Sequence, residues 1–282
     1  MKRSRLAVIG LTLTLLIVPA TSTIVSGEEF YRGKTMKLLV PFPPGGGWDT
    51  YGRTAAKYIT KYIPGKPSII VQNMPGASGM VGVNFLYNRV KPDGLTIGMF
   101  QTTNAFLQLA GDSAVQFDVR RASWLGAFSS RVSTCVVRTD SPFKTIQDVI
   151  GSKEPLYSGA VSRGGGTTME PMLMNKLLKT NFKVVSGYPG TSAIRMALRR
   201  GEVQGICGWG WSSVKSTGKE LLENGTIRVL VQIAHRREPD IPPDVPLITD
   251  LVPSEMKPLL NVYLIPASCG LEYDAAARRT EG

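Results

Sequence analysis

The chain has 282 residues, with 33 basic and 21 acidic side chains, one histidine and a formal net charge of +12. Hydrophobic residues make up 43% and charged residues 19%, a composition that excludes a disordered chain. The single histidine, His235, excludes a multi-histidine metal site. Three widely spaced cysteines without a CxxC motif exclude a zinc ribbon and a thioredoxin-like redox site. We therefore expect no metal.

The first segment has the layout of a secretory signal peptide. A basic start precedes an apolar run at residues 6–19, which is shorter than the roughly 20 residues that span a bilayer. We expect a signal peptide over residues 1–27, cleaved after Ala20 or Gly27, and a soluble chain in the periplasm. Removal of its three basic residues would lower the formal charge from +12 to +9.

Beyond this segment, strands alternate with helices in two series, a rhythm typical of parallel βαβ units. The predicted strands are 36–42, 68–74, 95–100, 133–138, 156–159, 183–188, 203–209, 227–234 and 262–266. The predicted helices are 48–63, 80–89, 145–150, 168–179, 192–200 and 213–223. The sequence thus predicts an α/β protein of two lobes with a cleft between them. We place the first part of lobe I at 28–128, lobe II at 129–234, and a return toward lobe I at 235–282.

Four loops that join a predicted strand to a predicted helix are rich in glycine: 44–49, 75–79, 164–168 and 188–192. Glycine lets the backbone approach a ligand closely, and the N-terminus of the following helix attracts anions. The four loops together predict an anion-binding cleft. The chain has neither a GxxxxGK[ST] nor a GxGxxG motif, so we expect no nucleotide cofactor.

Several side chains near these loops have two interpretations. Asp49 either interacts with the N-terminus of its own helix or accepts a hydrogen bond from a ligand. Of Trp209 and Trp211, we expect one in the core and the other in the cleft wall. Arg163 is a ligand candidate because it precedes a glycine loop. Three further arginines are expected on a solvated helix face: Arg195, Arg199 and Arg200.

Cys135 and Cys207 lie in two apolar segments that are predicted to be buried strands. In an oxidising compartment they form either two buried thiols or a disulfide between neighbouring strands.

The sequence gives no support to hydrolysis or to nucleic-acid binding. There is no GxSxG motif, and His235 lies among charged residues at a strand exit, where we expect it to be exposed. A secreted α/β hydrolase therefore lacks a nucleophile with its base. The basic residues are dispersed, with no Lys/Arg tract and no aromatic platform, so nucleic acid is not expected as a partner.

From about Glu28 to Leu251 the chain resembles the TctC/Bug extracytoplasmic receptors of tripartite tricarboxylate transporters. The resemblance is carried by six segments in this order: 40–49, 71–79, 91–98, 187–191, 200–203 and 242–246. It implies a type II periplasmic-binding fold with two lobes and a central cleft for a small carboxylate. It also implies a receptor, not an enzyme, that delivers its ligand to membrane permease subunits and works without a cofactor. We expect a monomer. An adaptor that presents the ligand to a sensor kinase remains the alternative.

The resemblance also assigns a ligand-binding site to the glycine loops. Its residues in lobe I are Pro44, Gly45, Gly46, Gly47, Asp49, Pro75, Gly76, Ala77, Ser78 and Gly79. In the facing lobe they are Gly165, Gly166, Thr167, Tyr188, Gly190 and Thr191. We add Trp209 as the candidate for the cleft wall because it follows a strand end, although it is bulkier than the residues common at that place in the family. Beyond Pro266 the sequence departs from the family pattern, so we expect a C-terminally shortened member.

Overall fold

The computed structural model describes residues 27–126, 132–268 and 272–275. The predicted signal peptide up to residue 26, with its cut after Ala20, lies outside the described residues, as does Cys269. Within the described part of the chain, no helix combines the length and the apolar character needed to cross a membrane.

The chain forms two series of strands and helices. The first comprises α1 (Gly27–Tyr31), β1 (Thr35–Val40), α2 (Gly47–Ile59), β2 (Ser68–Asn73), α3 (Met80–Arg89), β3 (Thr96–Phe100), α4 (Thr103–Leu109) and β4 (Ser123–Trp124). The second comprises β5 (Ser133–Arg138), β6 (Leu156–Gly159), α5 (Gly166–Leu178), β7 (Phe182–Val185), α6 (Thr191–Arg199), β8 (Gly205–Gly210), α7 (Trp211–Thr217), α8 (Lys219–Glu223) and β9 (Ile227–Ile233). The chain then continues through α9 (Ile248–Leu251), α10 (Lys257–Ser268) and β10 (Glu272–Ala275).

The strands build two five-stranded sheets, with the orders β2-β1-β3-β10-β4 and β7-β6-β8-β5-β9. In the first sheet β1 is parallel to both β2 and β3, and in the second β6 is parallel to both β7 and β8. These parallel pairs confirm the predicted βαβ units. Each sheet also contains an antiparallel strand. In the first sheet this is β10, which the sequence did not predict and which lies between β3 and β4. In the second sheet it is the predicted strand β5, which lies between β8 and β9.

The central strand β1 shows how packing places the first ligand loop. Leu38, Leu39 and Val40 are all buried, as expected for a parallel strand covered on both faces. Helix α2 approaches this strand closely at Gly52, where an added Cβ would lie 2.5 Å from a methyl carbon of Val40. The close approach fixes the N-terminus of α2 at the end of β1.

The predicted strand at 262–266 is wrong, because these residues lie in helix α10. Leu260, Tyr263 and Leu264 are buried at helical spacing and pack in the core of the second sheet. The Tyr263 ring also stacks on Phe106 of α4. The chain therefore packs first against the second sheet and only then enters the first sheet as β10.

The predicted helix at 145–150 is also wrong. The carboxylate of Asp148 accepts hydrogen bonds from the backbone N–H groups of Lys144 and Thr145, at 2.7 and 2.8 Å, and so stabilises a turn. A window of six residues is too short to favour a helix over such local bonds.

The predicted helix at 213–223 is divided at Gly218 into α7 and α8. The Trp209 ring packs against this glycine, where an added Cβ would lie 2.6 Å from a ring carbon. The other predicted elements are present, with ends that differ by at most four residues.

A disulfide joins Cys135 of β5 to Cys207 of β8, two neighbouring antiparallel strands. Both residues are completely buried, and their Cα atoms lie 3.8 Å apart. Of the two alternatives that the sequence left open, the structure therefore has the disulfide.

Candidate ligand-binding site

A pocket lies between the two lobes. From the first lobe it is lined by Phe42, Trp48, Ser78 and Gln101. From the second lobe it is lined by Val161, Gly165, Gly166, Thr167, Thr191 and Gly208. These lining residues include polar groups but no charged side chain, so any charge selectivity must come from the backbone or from residues just outside the lining.

Asp49 stabilises the loop between β1 and α2 through hydrogen bonds. Its carboxylate accepts hydrogen bonds from the Gly45 backbone N–H at 3.0 Å, from Arg53 Nε at 2.9 Å and from Asn73 Nδ2 at 2.9 Å. Asn73 Nδ2 also donates to the Phe42 carbonyl at 2.9 Å, which links the ends of β1 and β2. Burial alone would raise the pKa of Asp49, but the hydrogen bonds outweigh it and the pKa lies below its ordinary value.

The loop between β2 and α3 is held in an uncommon backbone conformation. Gly76, Ala77, Ser78 and Gly79 all have positive φ, at 143°, 46°, 53° and 90°. Positive φ at two successive non-glycine residues is costly and is found mainly where the surrounding structure enforces it for a function. In this loop it accompanies the placement of Ser78, which is buried in the pocket lining.

Helix N-termini from both lobes meet at this pocket. Trp48 lies in the first turn of α2, Gly166 and Thr167 in the first turn of α5, and Thr191 at the start of α6. The backbone N–H groups of a first turn have no partner within their own helix, and they carry a partial positive charge. The N-termini of three helices therefore border the pocket.

Gly208 allows the end of β8 to lie directly against the N-terminus of α5. Its φ is +74°, and an added Cβ would lie 2.5 Å from both the Gly166 carbonyl oxygen and the Thr167 nitrogen. The Thr167 hydroxyl is also fixed, because its Oγ1 accepts a hydrogen bond from the Val161 N–H at 3.1 Å. These contacts hold the second-lobe part of the lining in place.

The two lobes are in direct contact around the pocket. The hydroxyl groups of Ser78 and Ser162 lie 2.5 Å apart, and the Tyr51 hydroxyl donates to the Ser212 hydroxyl. Gly47 and Gly190 permit equally close contacts, because their added Cβ atoms would lie 2.9 Å from Ser213 Cβ and 2.7 Å from Pro43 Cγ. The structure is therefore that of a closed cleft.

The sequence matches the family described as "Tripartite tricarboxylate transporter family receptor" over residues 52–265, about three quarters of the chain. The chain belongs to this family, TctC. It is a family of solute-binding receptors and not of enzymes.

Individual relatives agree with this family. Protein BugT of Bordetella pertussis is 35% identical over 81 residues, which are 28% of this chain and 22% of BugT. The match therefore spans less than two thirds of BugT. The structure of periplasmic binding protein BugD has a TM-score of 0.64 at 18% identity, covering 86% of this chain and 76% of BugD. MatC from Rhodopseudomonas palustris, solved with bound malate, has a TM-score of 0.66 at 22% identity, covering 86% of this chain and 77% of MatC. These structures confirm the two-lobed periplasmic-binding fold.

The structure brings five of the predicted site residues of this TctC receptor into the pocket lining: Ser78, Gly165, Gly166, Thr167 and Thr191. Other predicted residues belong to the loops that carry this lining: Pro44, Gly45, Gly46, Gly47, Asp49, Pro75, Gly76, Ala77, Gly79, Tyr188 and Gly190. That these residues bind a ligand remains a prediction.

Trp209 is not brought to the pocket. Trp209 and Trp211 are both buried in the second-lobe core, with exposures of 2% and 4%. The expectation that one of them forms a cleft wall is therefore not met. His235 is exposed beyond the end of β9, as predicted.

Sequence reasoning did not assign five of the lining residues to the site: Phe42, Trp48, Gln101, Val161 and Gly208. Of these, Trp48 lies inside the predicted loop 44–49. Gln101 follows β3 directly, and a buried polar residue at the carboxyl end of a central parallel strand is a signal that could have been used. Phe42 was assigned to the first strand, but it lies in the loop after β1 and stacks on Trp48. The proximity of Gly208 to α5 depends on tertiary packing, which leaves no local signal.

The prediction for Arg195 is wrong. It is half-buried at the contact between the lobes, where its Nη2 lies 3.5 Å from the Gly45 carbonyl oxygen. Arg199 and Arg200 are exposed, as expected, and Arg163 is exposed as well. The described residues contain no group of histidine, cysteine, aspartate and glutamate side chains that could hold a metal ion.

Proposed function

We propose that this TctC-family chain is a periplasmic receptor that captures a small organic anion, a carboxylate, in the cleft between its lobes. It then delivers the ligand to the membrane permease subunits of a tripartite tricarboxylate transporter. The observation that carries the proposal is the meeting of three helix N-termini, from both lobes, at one pocket without acidic side chains.

Backbone N–H groups are suited to this task because they donate hydrogen bonds without bringing a counter-ion of their own. Together with the helix dipole they favour an anion over a neutral ligand or a cation. The donors come from α2 in one lobe and from α5 and α6 in the other. An anion between them would stabilise the closed form over an open one, which is capture by lobe closure.

The pocket supports a small ligand, because it lies in a closed cleft whose two lobes are in direct contact around it. MatC, which has the same fold, was solved with malate, a small dicarboxylate. The family name supports the transporter as the destination of the ligand.

Three finer statements belong to the same proposal. The chain is exported with a signal peptide that is cleaved after Ala20 or Gly27, it acts as a monomer, and its partner is a permease. A mass spectrum of the protein purified from its native host would give the cleavage site and any bound ligand. Light scattering coupled to gel filtration would give the oligomeric state.

The decisive experiment is calorimetric titration of the purified chain with di- and tricarboxylates, aromatic acids and amino acids. The matched control for each acid is its neutral amide, which keeps the shape and removes the charge. We expect at least one carboxylate to bind with a micromolar or lower dissociation constant and its amide to bind far more weakly. Absence of binding across the panel, or equal binding of acid and amide, would contradict the proposal.

A further inference from the structure

Arg195 is a half-buried cation at the contact between the lobes. It lies on α6, one helical turn after the lining residue Thr191. Its guanidinium extends toward the first lobe, where Nη2 has a long contact of 3.5 Å to the Gly45 carbonyl oxygen. Its Nε is fully buried and has no hydrogen-bond partner among the described residues.

The other arginines of the described chain show what Arg195 lacks. Many form ion pairs with carboxylates: Arg32 with Glu28, Arg53 with Asp49, Arg120 with Asp118, Arg138 with Asp140, Arg199 with Glu220, Arg200 with Glu202 and Arg237 with Asp250. Arg195 has no such pair in the part of the chain that the structure describes. Its pKa is lowered, first by burial and then by the positive charge of Arg199.

An uncompensated cation with a buried, unpaired N–H group is unfavourable, and such groups are usually paired in native proteins. The adjacent pocket supplies no counter-charge, because none of its lining residues is acidic. An anionic group brought into the cleft would supply the missing partner. A guanidinium presents Nε–H and Nη–H in a planar fork that matches a carboxylate.

We propose that Arg195 binds a second anionic group of the ligand, while the helix N-termini hold the first, so that the receptor selects dianions over monoanions. This inference rests on the proposed function and deepens it from carboxylates in general to dicarboxylates. Arg195 is on this view a specificity-determining residue, and the contact to Gly45 marks where its guanidinium lies when the cleft is closed.

The test compares dicarboxylates with monocarboxylates of equal length: adipate against hexanoate, and succinate against butyrate. Calorimetry gives the affinity ratio within each pair for the purified chain and for Arg195→Gln and Arg195→Lys. The matched control is Arg199→Gln, one further turn along α6, whose exposed side chain pairs with Glu220. Thermal unfolding of each variant without ligand checks that it is folded.

We expect the unaltered chain to prefer at least one dicarboxylate over its partner by about tenfold or more. Arg195→Gln should remove most of this preference by weakening dicarboxylate binding, with little change for the monocarboxylate. Arg195→Lys should restore part of it, and Arg199→Gln should leave it unchanged.

The inference alone would be overturned by equal binding of mono- and dicarboxylates by the unaltered chain, by an unchanged ratio in Arg195→Gln, or by an equal loss for both acids. An equal loss for both acids would mean that Arg195 stabilises the contact between the lobes and does not bind the ligand. If none of the four acids binds and the wider panel of carboxylates also fails, the proposed function falls together with the inference. Binding of a monocarboxylate alone would overturn the inference and sustain the proposed function.

Discussion

The hydroxyl groups of Ser78 and Ser162 lie 2.5 Å apart and form a hydrogen bond between the two lobes. Ser78 belongs to the strained loop before α3 and lines the pocket, whereas Ser162 precedes the glycines at the start of α5. A contact of this kind exists only when the cleft is closed. It connects the free energy of closure with the affinity for whatever the cleft encloses.

The first prediction follows from this contact. Ser162→Ala removes one hydrogen bond that forms on closure, which is worth about 1 kcal/mol. We expect the ligand affinity measured by calorimetry to fall by about threefold to tenfold. The control is Ser216→Ala, which removes a hydroxyl that bonds only within its own helix, to the Ser212 carbonyl at 2.8 Å. Equal affinities of Ser162→Ala and Ser216→Ala would contradict a role for the Ser78–Ser162 contact in closure.

The second prediction concerns Gly47, at the start of α2. An added Cβ would lie 2.9 Å from Ser213 Cβ in the other lobe and still closer to its hydroxyl, so Gly47→Ala should oppose closure. Because the overlap is between lobes, the variant can fold with the cleft open. We expect weaker ligand binding and a larger radius of gyration by X-ray scattering in the presence of ligand.

Two further variants make this prediction specific. Gly46→Ala, one residue earlier, is the matched control because its Cβ would meet only the Pro43 carbonyl oxygen at 3.9 Å. Adding Ser213→Gly to Gly47→Ala removes the overlapping atoms and should recover part of the affinity. Normal binding by Gly47→Ala would show that the lobes close less tightly than the structure indicates.

These closure contacts also show what sequence reasoning can reach. The strand at 133–138, the strand at 156–159 and the helix at 80–89 were predicted with the bounds that the structure has. Each is specified locally, by a buried apolar run or by a glycine at the boundary. The glycine loops of the site were found for the same reason, since strand, loop and helix are contiguous in sequence.

What was missed depends on contacts between distant parts of the chain. Arg195 has the helical spacing of a solvated residue, but it is half-buried at the contact between the lobes, next to Gly45, which is 150 residues away in sequence. Strand β10 enters the first sheet between two strands from the other end of the chain. Such placements are fixed by tertiary packing, which local periodicity does not report.

The third prediction is a pH dependence at Asp49. Its pKa is lowered in the folded chain from the ordinary value of 3.8, because hydrogen bonds from Arg53, Gly45 and Asn73 outweigh the effect of burial. A carboxyl group whose pKa is lower in the folded than in the unfolded chain stabilises the fold at pH values above its unfolded pKa. This stabilisation is lost as the pH falls through the folded pKa. Thermal unfolding should therefore show Asp49→Asn as destabilised at pH 7, with the difference from the unaltered chain shrinking below about pH 4.

The control for this charge change is Asp244→Asn, at an exposed position far along the chain. We expect it to leave the unfolding temperature unchanged at pH 7. A difference between Asp49→Asn and the unaltered chain that stays constant down to pH 3 would mean that shape, not charge, accounts for the loss.

The fourth prediction concerns the disulfide between Cys135 and Cys207, which closes a loop with a sequence separation of 72 and ties β5 to β8 directly before the lining residue Gly208. Alkylation of the unfolded, unreduced chain should label only Cys269, whereas reduction should expose all three cysteines. Removing a native disulfide typically costs about 2–5 kcal/mol. We therefore expect a reductant to lower the unfolding temperature, and the double variant Cys135→Ala, Cys207→Ala to be less stable and insensitive to reductant.

Labelling of all three cysteines before reduction would show that the bond does not form. If it does form, weaker ligand binding after reduction is also expected, because Gly208 contacts the N-terminus of α5 only while the end of β8 stays in place.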